Sequence, residues 1–304
     1  ERYLNSRYKF NYTPNTKKFK NEPPSFKNRI IIHLVCLIPI ILGFLIPVLF
    51  IINNVIYEFS RIDFIKVFNL TTNTVIISLI ATLIILVIAV YFQFLKRILK
   101  NRTITFFNEV ISLTYALPGA VIGLSLILLF TSYPFENELL IGSFGILVYA
   151  YVIRYMAVGI SPLKSSFDKH PSSYDDTAFN LGMGPTKLFR SIHLPINKSA
   201  IAIAFLITFV DIIKELPITL ILRPFNFDTL AVQTYEYAIE EMIPKSSIYS
   251  LAIVMLGTIL LIFLKKIVNK EIDVPKSKWI TKILWLKQSA DQKFEFFSRG
   301  GGYS

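Results

Sequence analysis

Apolar residues fall along this chain in blocks of about twenty, the length needed to cross a hydrocarbon layer of about 30 Å at 1.5 Å per residue. Six blocks stand out, at residues 30–52, 74–95, 110–130, 139–160, 200–222 and 247–268. They predict an all-α, polytopic membrane protein with about six transmembrane helices. The fifth block is the least regular, because Asp211, Lys214, Glu215 and Pro217 interrupt it. The first is too long for the apolar region of a cleavable signal peptide, and no small-residue cleavage site follows it.

The segments between blocks carry unequal charge. Residues 1–29, 96–109, 161–199 and 265–304 hold 26 of the 32 Lys and Arg, whereas 53–73, 131–138 and 214–246 hold five. Positive segments stay on the cytoplasmic side, so both termini are expected inside. This asymmetry accounts for the net charge of +12 and the pI of 9.6, and nucleic acid need not be a partner. A mean hydropathy of +0.55 with 17% charged residues excludes a soluble or a disordered chain. The single cysteine, Cys36, excludes an intrachain disulfide and a thiolate metal cage.

Three regions follow. Residues 1–29 are basic and polar with a Pro23-Pro24 pair. They read as a cytoplasmic segment or, since the chain opens on Glu1, as a linker from a preceding half. Residues 30–268 form the six-helix domain. Residues 269–304 form a basic cytoplasmic tail, expected to lay Trp279 and Trp285 on an anionic leaflet and to end in a disordered Gly300-Gly301-Gly302.

The segment between the fourth and fifth blocks, residues 172–195, holds the most information. Ser172 or Ser173 suits a helix N-cap, with Asp175 and Asp176 in the first turn, where negative charge meets the positive end of the helix dipole. Gly182 suits the left-handed turn that ends that helix. Gly184 and Pro185 suit the cap and first position of a second helix, which Pro195 should end. The pattern predicts a stiff helix–turn–helix on the inner membrane face.

Asp176-Thr177-Ala178, three residues, Gly182, nine residues, Ile192, one residue and Leu194-Pro195 resemble the Glu-Ala-Ala…Gly…Ile-x-Leu-Pro loop of binding-protein-dependent ABC importer permeases. Asp replaces Glu and Thr replaces the first Ala. Tyr115-Ala116-Leu117-Pro118-Gly119, the stretch from Ala150 to Val158 followed by Pro162-Leu163, and the stretch from Lys214-Glu215-Leu216-Pro217 through Arg223-Pro224 to Phe227-Asp228-Thr229-Leu230-Ala231 resemble the ferric-iron members of that family, in particular the second of their two six-helix halves. The resemblance implies a bacterial inner-membrane permease whose loop, through Asp175, Asp176, Thr177, Ala178, Gly182, Ile192, Leu194 and Pro195, docks on an ATPase subunit. It also implies two such ATPase subunits binding the ATP, no cofactor on this chain, a periplasmic iron-binding protein and a second six-helix permease half.

Within the blocks, Asp211, Lys214 and Glu215 stand at i, i+3 and i+4, one helix face. They read either as an acidic patch on a translocation path or as an internal ion pair, with Lys214 or Arg223, that holds a broken helix together. Tyr115 reads as a gate or as a packed interfacial ring. Ser112, Ala116 and Ala120 form one small-residue row, and Gly119 and Gly123 another. Arg154 is expected to snorkel to the cytoplasmic headgroups.

Enzymatic readings find little. Gly123-Leu124-Ser125 begins like a membrane serine-protease motif, but Leu126 replaces the next Gly, and the histidines at 33, 170 and 193 fall outside any later span. No His-Glu-x-x-His and no phosphate-binding Gly-Lys-Ser/Thr loop occurs, so energy must come from a partner chain. A self-powered carrier would show internal repeats or ionisable residues spread over several spans, and neither is visible.

Overall fold

A computed structural model describes residues 25–99, 101–132 and 142–272. The expectations for most of the N-terminal linker, the start of the fourth block and the C-terminal tail with Trp279, Trp285 and Gly300–Gly302 lie outside the described residues. Among the described residues every regular element is a helix.

The chain divides into two units, residues 1–50 and 51–304. The described part of the first is helical from Phe26, with a widened π turn at Ile41–Leu45. Pro47 has no N–H for the Gly43 carbonyl, and the wider turn lies at that point. This run belongs to α1, Phe26–Arg61, which contains the first apolar block.

The second unit contains α2 (Phe64–Leu99), α3 (Arg102–Ala116), α4 (Gly119–Ser132), α5 (Phe144–Lys169), α6 (Ser173–Asn180), α7 (Pro185–Ile196), α8 (Lys198–Ile213), α9 (Pro217–Leu222), α10 (Leu230–Ile239) and α11 (Ile243–Ile272). α1, α2, α5 and α11 are long and apolar enough to cross a membrane unbroken, and the number rises to six only if each of the bent pairs, α3 with α4 and α7 with α8, is counted as one span.

The core sits where α2, α5 and α8 meet. On α2 the buried residues Ile77, Ala81, Ile85 and Ala89 recur every four positions and form one stripe. α5 answers with Leu147, Tyr151, Tyr155 and Gly159. At Gly159 the helices approach so closely that a Cβ would stand 2.6 Å from Ile85 Cγ2, so glycine is required there.

Two expected spans are corrected. The third block is not one straight crossing: α3 ends at Ala116, α4 begins at Gly119, and the two are bent by 109°. Pro118 lacks an N–H and its ring collides with the Thr114 carbonyl of a continuing helix. The bend also splits the small-residue row, leaving Ser112 and Ala116 on α3 and Ala120 on α4. The fifth block is likewise interrupted, since α8 stops at Ile213 and α9 restarts at Pro217.

Candidate functional site

The loop predicted between the fourth and fifth blocks forms two short helices. Ser172 stands at the N-cap of α6, but its side chain makes no capping bond. Asp175 and Asp176 occupy the first turn as expected. Gly182 has φ +74°, and the paired bonds Met183 N–H to Ala178 O (3.0 Å) and Gly182 N–H to Phe179 O (2.9 Å) close the helix end. Gly184 caps α7 and Pro185 is its first residue. Pro195 does not end α7, which continues to Ile196 through a π turn at Phe189–His193. The wider turn spares the Ser191 carbonyl a clash with the Pro195 ring. After Asn197 the chain turns by 70° into α8.

The loop has a bound side and a free side. Ala178 and Leu188 are buried against Phe94 of α2 and Phe167 of α5, with Met183 and Ile192 packed alongside. Leu194 and Pro195 are half-buried. Tyr174, Asp176, Thr177, Phe179, Leu181 and Gly182 face outward. Asp175, by contrast, is buried: its carboxylate accepts from Arg97 Nε (2.6 Å) and His193 Nε2 (2.8 Å). The Arg97 guanidinium also donates to the carbonyls of Phe167 (2.6 Å), His170 (3.0 Å) and Pro171 (2.8 Å). His193 stacks on Phe167 with ring centroids 5.5 Å apart. Burial lowers the His193 pKa below its ordinary value, and the Arg97 charge adds to that, outweighing the opposing pull of Asp175. Burial and the same arginine lower His170 too.

Sequence reasoning missed Arg97 and His193. Arg97 stands 78 residues from Asp175, and no spacing rule connects residues so far apart. The available signal was coarser, an arginine at the end of a span facing an acidic first turn.

The polar residues in and beside the spans fall into two places. Ser112, Tyr115, Ser161, Lys164 and Asp211 line a cavity of about 480 Å³ between α3, α5 and α8. Asp211 is paired with Lys214 Nζ at 2.8 Å. Glu215 does not share their face, because α8 has already ended, and it pairs with neither Lys214 nor Arg223. Its side chain turns into the protein, where Tyr155 OH donates to Oε2 and Ile218 N–H donates to Oε1 (3.2 Å), capping α9. Arg154 does not snorkel. It donates to the Leu117 carbonyl freed by the Pro118 bend (2.8 Å), lies 3.6 Å from Glu215 Oε2, and sits over the rings of Tyr115 and Tyr155. A Cβ on Gly119 would stand 2.8 Å from both Arg154 Nη1 and Glu215 Oε1. One polar knot therefore ties the two helix breaks together.

Arg223 pairs with Asp228 and with Glu236 (2.8 Å). Leu230 N–H donates to Thr74 Oγ1 (2.9 Å), so this segment is tied to the end of α2 opposite Arg97. Among the described residues no group of three or more His, Cys, Asp or Glu is placed to hold a metal ion.

Comparison with known proteins adds a family. A family model described as binding-protein-dependent transport system inner membrane component matches residues 100–274. The chain is similar to the Fe(3+)-transport system permease protein FbpB 2 of Haemophilus influenzae, 26% identical over 204 residues that cover 67% of this chain and 40% of that protein. It is also similar to the maltose/maltodextrin transport system permease protein MalG of Escherichia coli, 32% identical over 94 residues, 31% of each chain. The MalG of Photorhabdus laumondii is 31% identical over the same length. The alignments thus span well under half of these relatives.

Proposed function

Because this chain belongs to the binding-protein-dependent transport system inner membrane components, we propose that it is a permease subunit, or half of one, of an ABC importer that takes up ferric iron. A periplasmic binding protein delivers the cargo to the loops opposite the basic face, and two separate ATPase subunits supply the energy. A second six-helix unit completes the path, and both termini lie in the cytoplasm. The observation that carries this reading is the two-sided loop of α6 and α7: one side is buried against α2 and α5, while the other presents Tyr174, Asp176, Phe179 and Leu181. A rigid element with an apolar and acidic free face suits docking into a cleft of a partner.

The path runs along the cavity of Tyr115 and Asp211 in this reading, with alternating access driven from the loop. Hard carboxylate oxygen suits Fe(III), and the Lys214 partner keeps Asp211 from holding a trivalent ion tightly. Ferric iron is chosen on the similarity to FbpB 2 and on the Lys214–Pro217 and Arg223–Ala231 stretches, since the MalG similarity covers a shorter part.

The first test replaces Gly182 with Val, which a φ of +74° disfavours strongly. ATP hydrolysis by the associated ATPase should continue while uptake of radiolabelled ferric iron falls by about tenfold or more. Wild-type uptake by an inserted Gly182→Val protein refutes the docking role; uptake of maltose in place of iron refutes the cargo alone.

A further inference from the structure

The docking loop is joined covalently to α5 at one end and to α8 at the other, which suggests that a push on it would pass to those two helices. The structure adds a third connection. α2 is remote from the loop in sequence, yet its inner end enters the loop's hydrogen bonding through one side chain, Arg97. Three of its bonds go to Phe167, His170 and Pro171, carbonyls at and just beyond the C-terminus of α5, where a helix lacks internal donors and favours a cation. The fourth goes to Asp175 in the first turn of α6. Asp175 in turn binds His193 of α7. One guanidinium and one carboxylate therefore join α2, α5, α6 and α7, and Phe94 of α2 packs against the rings of Phe189 and His193 from below.

We propose that Arg97 is a positioning residue that rivets the docking loop to α2, so that the loop and the inner ends of α2 and α5 move as one body when the loop is pushed. The proposal rests on the reading of the loop as the ATPase dock. Its mechanical consequence follows from the packing. α2 carries a long buried stripe and packs on both α5 and α8, so a displacement that enters α2 reaches the cavity wall through the core as well as through the chain. Arginine is needed for geometry rather than charge. Its planar fork reaches four acceptors at once, which a lysine ammonium on a flexible stem does not.

The test uses the full transporter, purified with its associated ATPase and reconstituted in liposomes. Spin labels are placed by Leu99→Cys and Thr186→Cys, both exposed positions, in a Cys36→Ser background that removes the single native thiol. In the riveted protein the distance between the labels is narrow and the same with and without ATP. Arg97→Gln should broaden that distribution and lower transport per ATP hydrolysed by about tenfold. Arg97→Lys should broaden it less, and serves if Arg97→Gln fails to insert. A distribution in either inserted variant as narrow as wild type, or a wild-type distance that changes with ATP, overturns the rivet. Gly182→Val separates the two ideas. If it leaves coupling intact while Arg97→Gln loosens the junction, the docking reading has failed and the rivet stands. If it uncouples while Arg97→Gln changes neither readout, the rivet has failed and docking stands.

Discussion

Two arginines do similar work in different surroundings. Arg97 at the α6–α7 loop and Arg154 at the helix breaks each pair with a carboxylate and each donate to backbone carbonyls that a helix end leaves free. Arg97 makes four hydrogen bonds, none longer than 3.0 Å. Arg154 makes one, to Leu117, and stands 3.6 Å from its carboxylate, beyond hydrogen-bonding distance, with Nε buried and unbonded. Arg97 uses four of its five N–H donors, and moving it means breaking several bonds together. The Arg154 site holds donors in reserve, so parting it from Glu215 forfeits less. A densely bonded junction suits the transmission of force, and a sparsely bonded one suits a place where helices change partners.

Asp175→Ala should disturb the Arg97 junction most. It leaves the buried Nε2 of His193 without an acceptor and removes the charged partner of Arg97 among the described residues. Loss of one member of a buried pair costs about 3–5 kcal/mol, and the three remaining carbonyls and the partial exposure of Arg97 place the expected effect at the low end. Thermal unfolding of the purified protein should show it as a large fall in midpoint, and protease sites between residues 170 and 197 should open. A change within error of wild type means that the Arg97 junction is not the rigid one.

Gly119→Ala probes the other site with a smaller effect. The new Cβ meets only side-chain ends, Arg154 Nη1 and Glu215 Oε1, at 2.8 Å, so the knot must shift rather than the backbone. Overpacking of this kind costs about 1–3 kcal/mol, and the better helix propensity of alanine returns up to about 1 kcal/mol. Gly123→Ala is the control, since its Cβ would stand 3.2 Å from Ile221 and touches no charge. Transport should fall in Gly119→Ala and hold in Gly123→Ala. Equal behaviour of the two removes any special standing of the Arg154 knot.

The difference between the two arginines also marks what the sequence discloses. Lipid demands contiguous apolar residues, so the blocks showed the helices directly: the first, second and sixth fall within long unbroken helices, the described part of the fourth lies on another, and the third and fifth are broken. The turn at Gly182 and the start at Gly184-Pro185 were legible because each depends on local backbone freedom alone. Pro118 and Pro217 announced weak points, but the 109° bend depends on which neighbour donates to the freed carbonyl, and that neighbour, Arg154, is 37 residues away. Arg154 read as a snorkelling side chain because a span-end position is all that local sequence reveals. Glu215 read as sharing a face with Asp211 only while the helix was taken to continue past Ile213. Where a side chain's partner is set by tertiary packing, residue spacing carries no information about it.

The gentlest probe of the Arg97 junction is pH. His193 faces Asp175 and Arg97, with His170 near enough to add its charge, and burial holds the His193 pKa below the ordinary value of about 6.5. The folded loop therefore prefers the neutral ring, while the unfolded chain binds a proton more readily. Between the two pKa values the unfolded state carries more protons, so stability rises with pH there. The contribution is fully present above about pH 6.5 and is lost as pH falls below it toward the folded value, and His170, lowered in the same direction, adds to the loss. Amide exchange over residues 170–197 should accordingly quicken on going from about pH 7.5 to about pH 5.5, after correction for the intrinsic rate. His193→Gln should remove most of that dependence while Asp175 still binds Arg97. If the mutant keeps the full pH response, the response belongs to His170, and His193 is a packed ring whose protonation the junction does not sense.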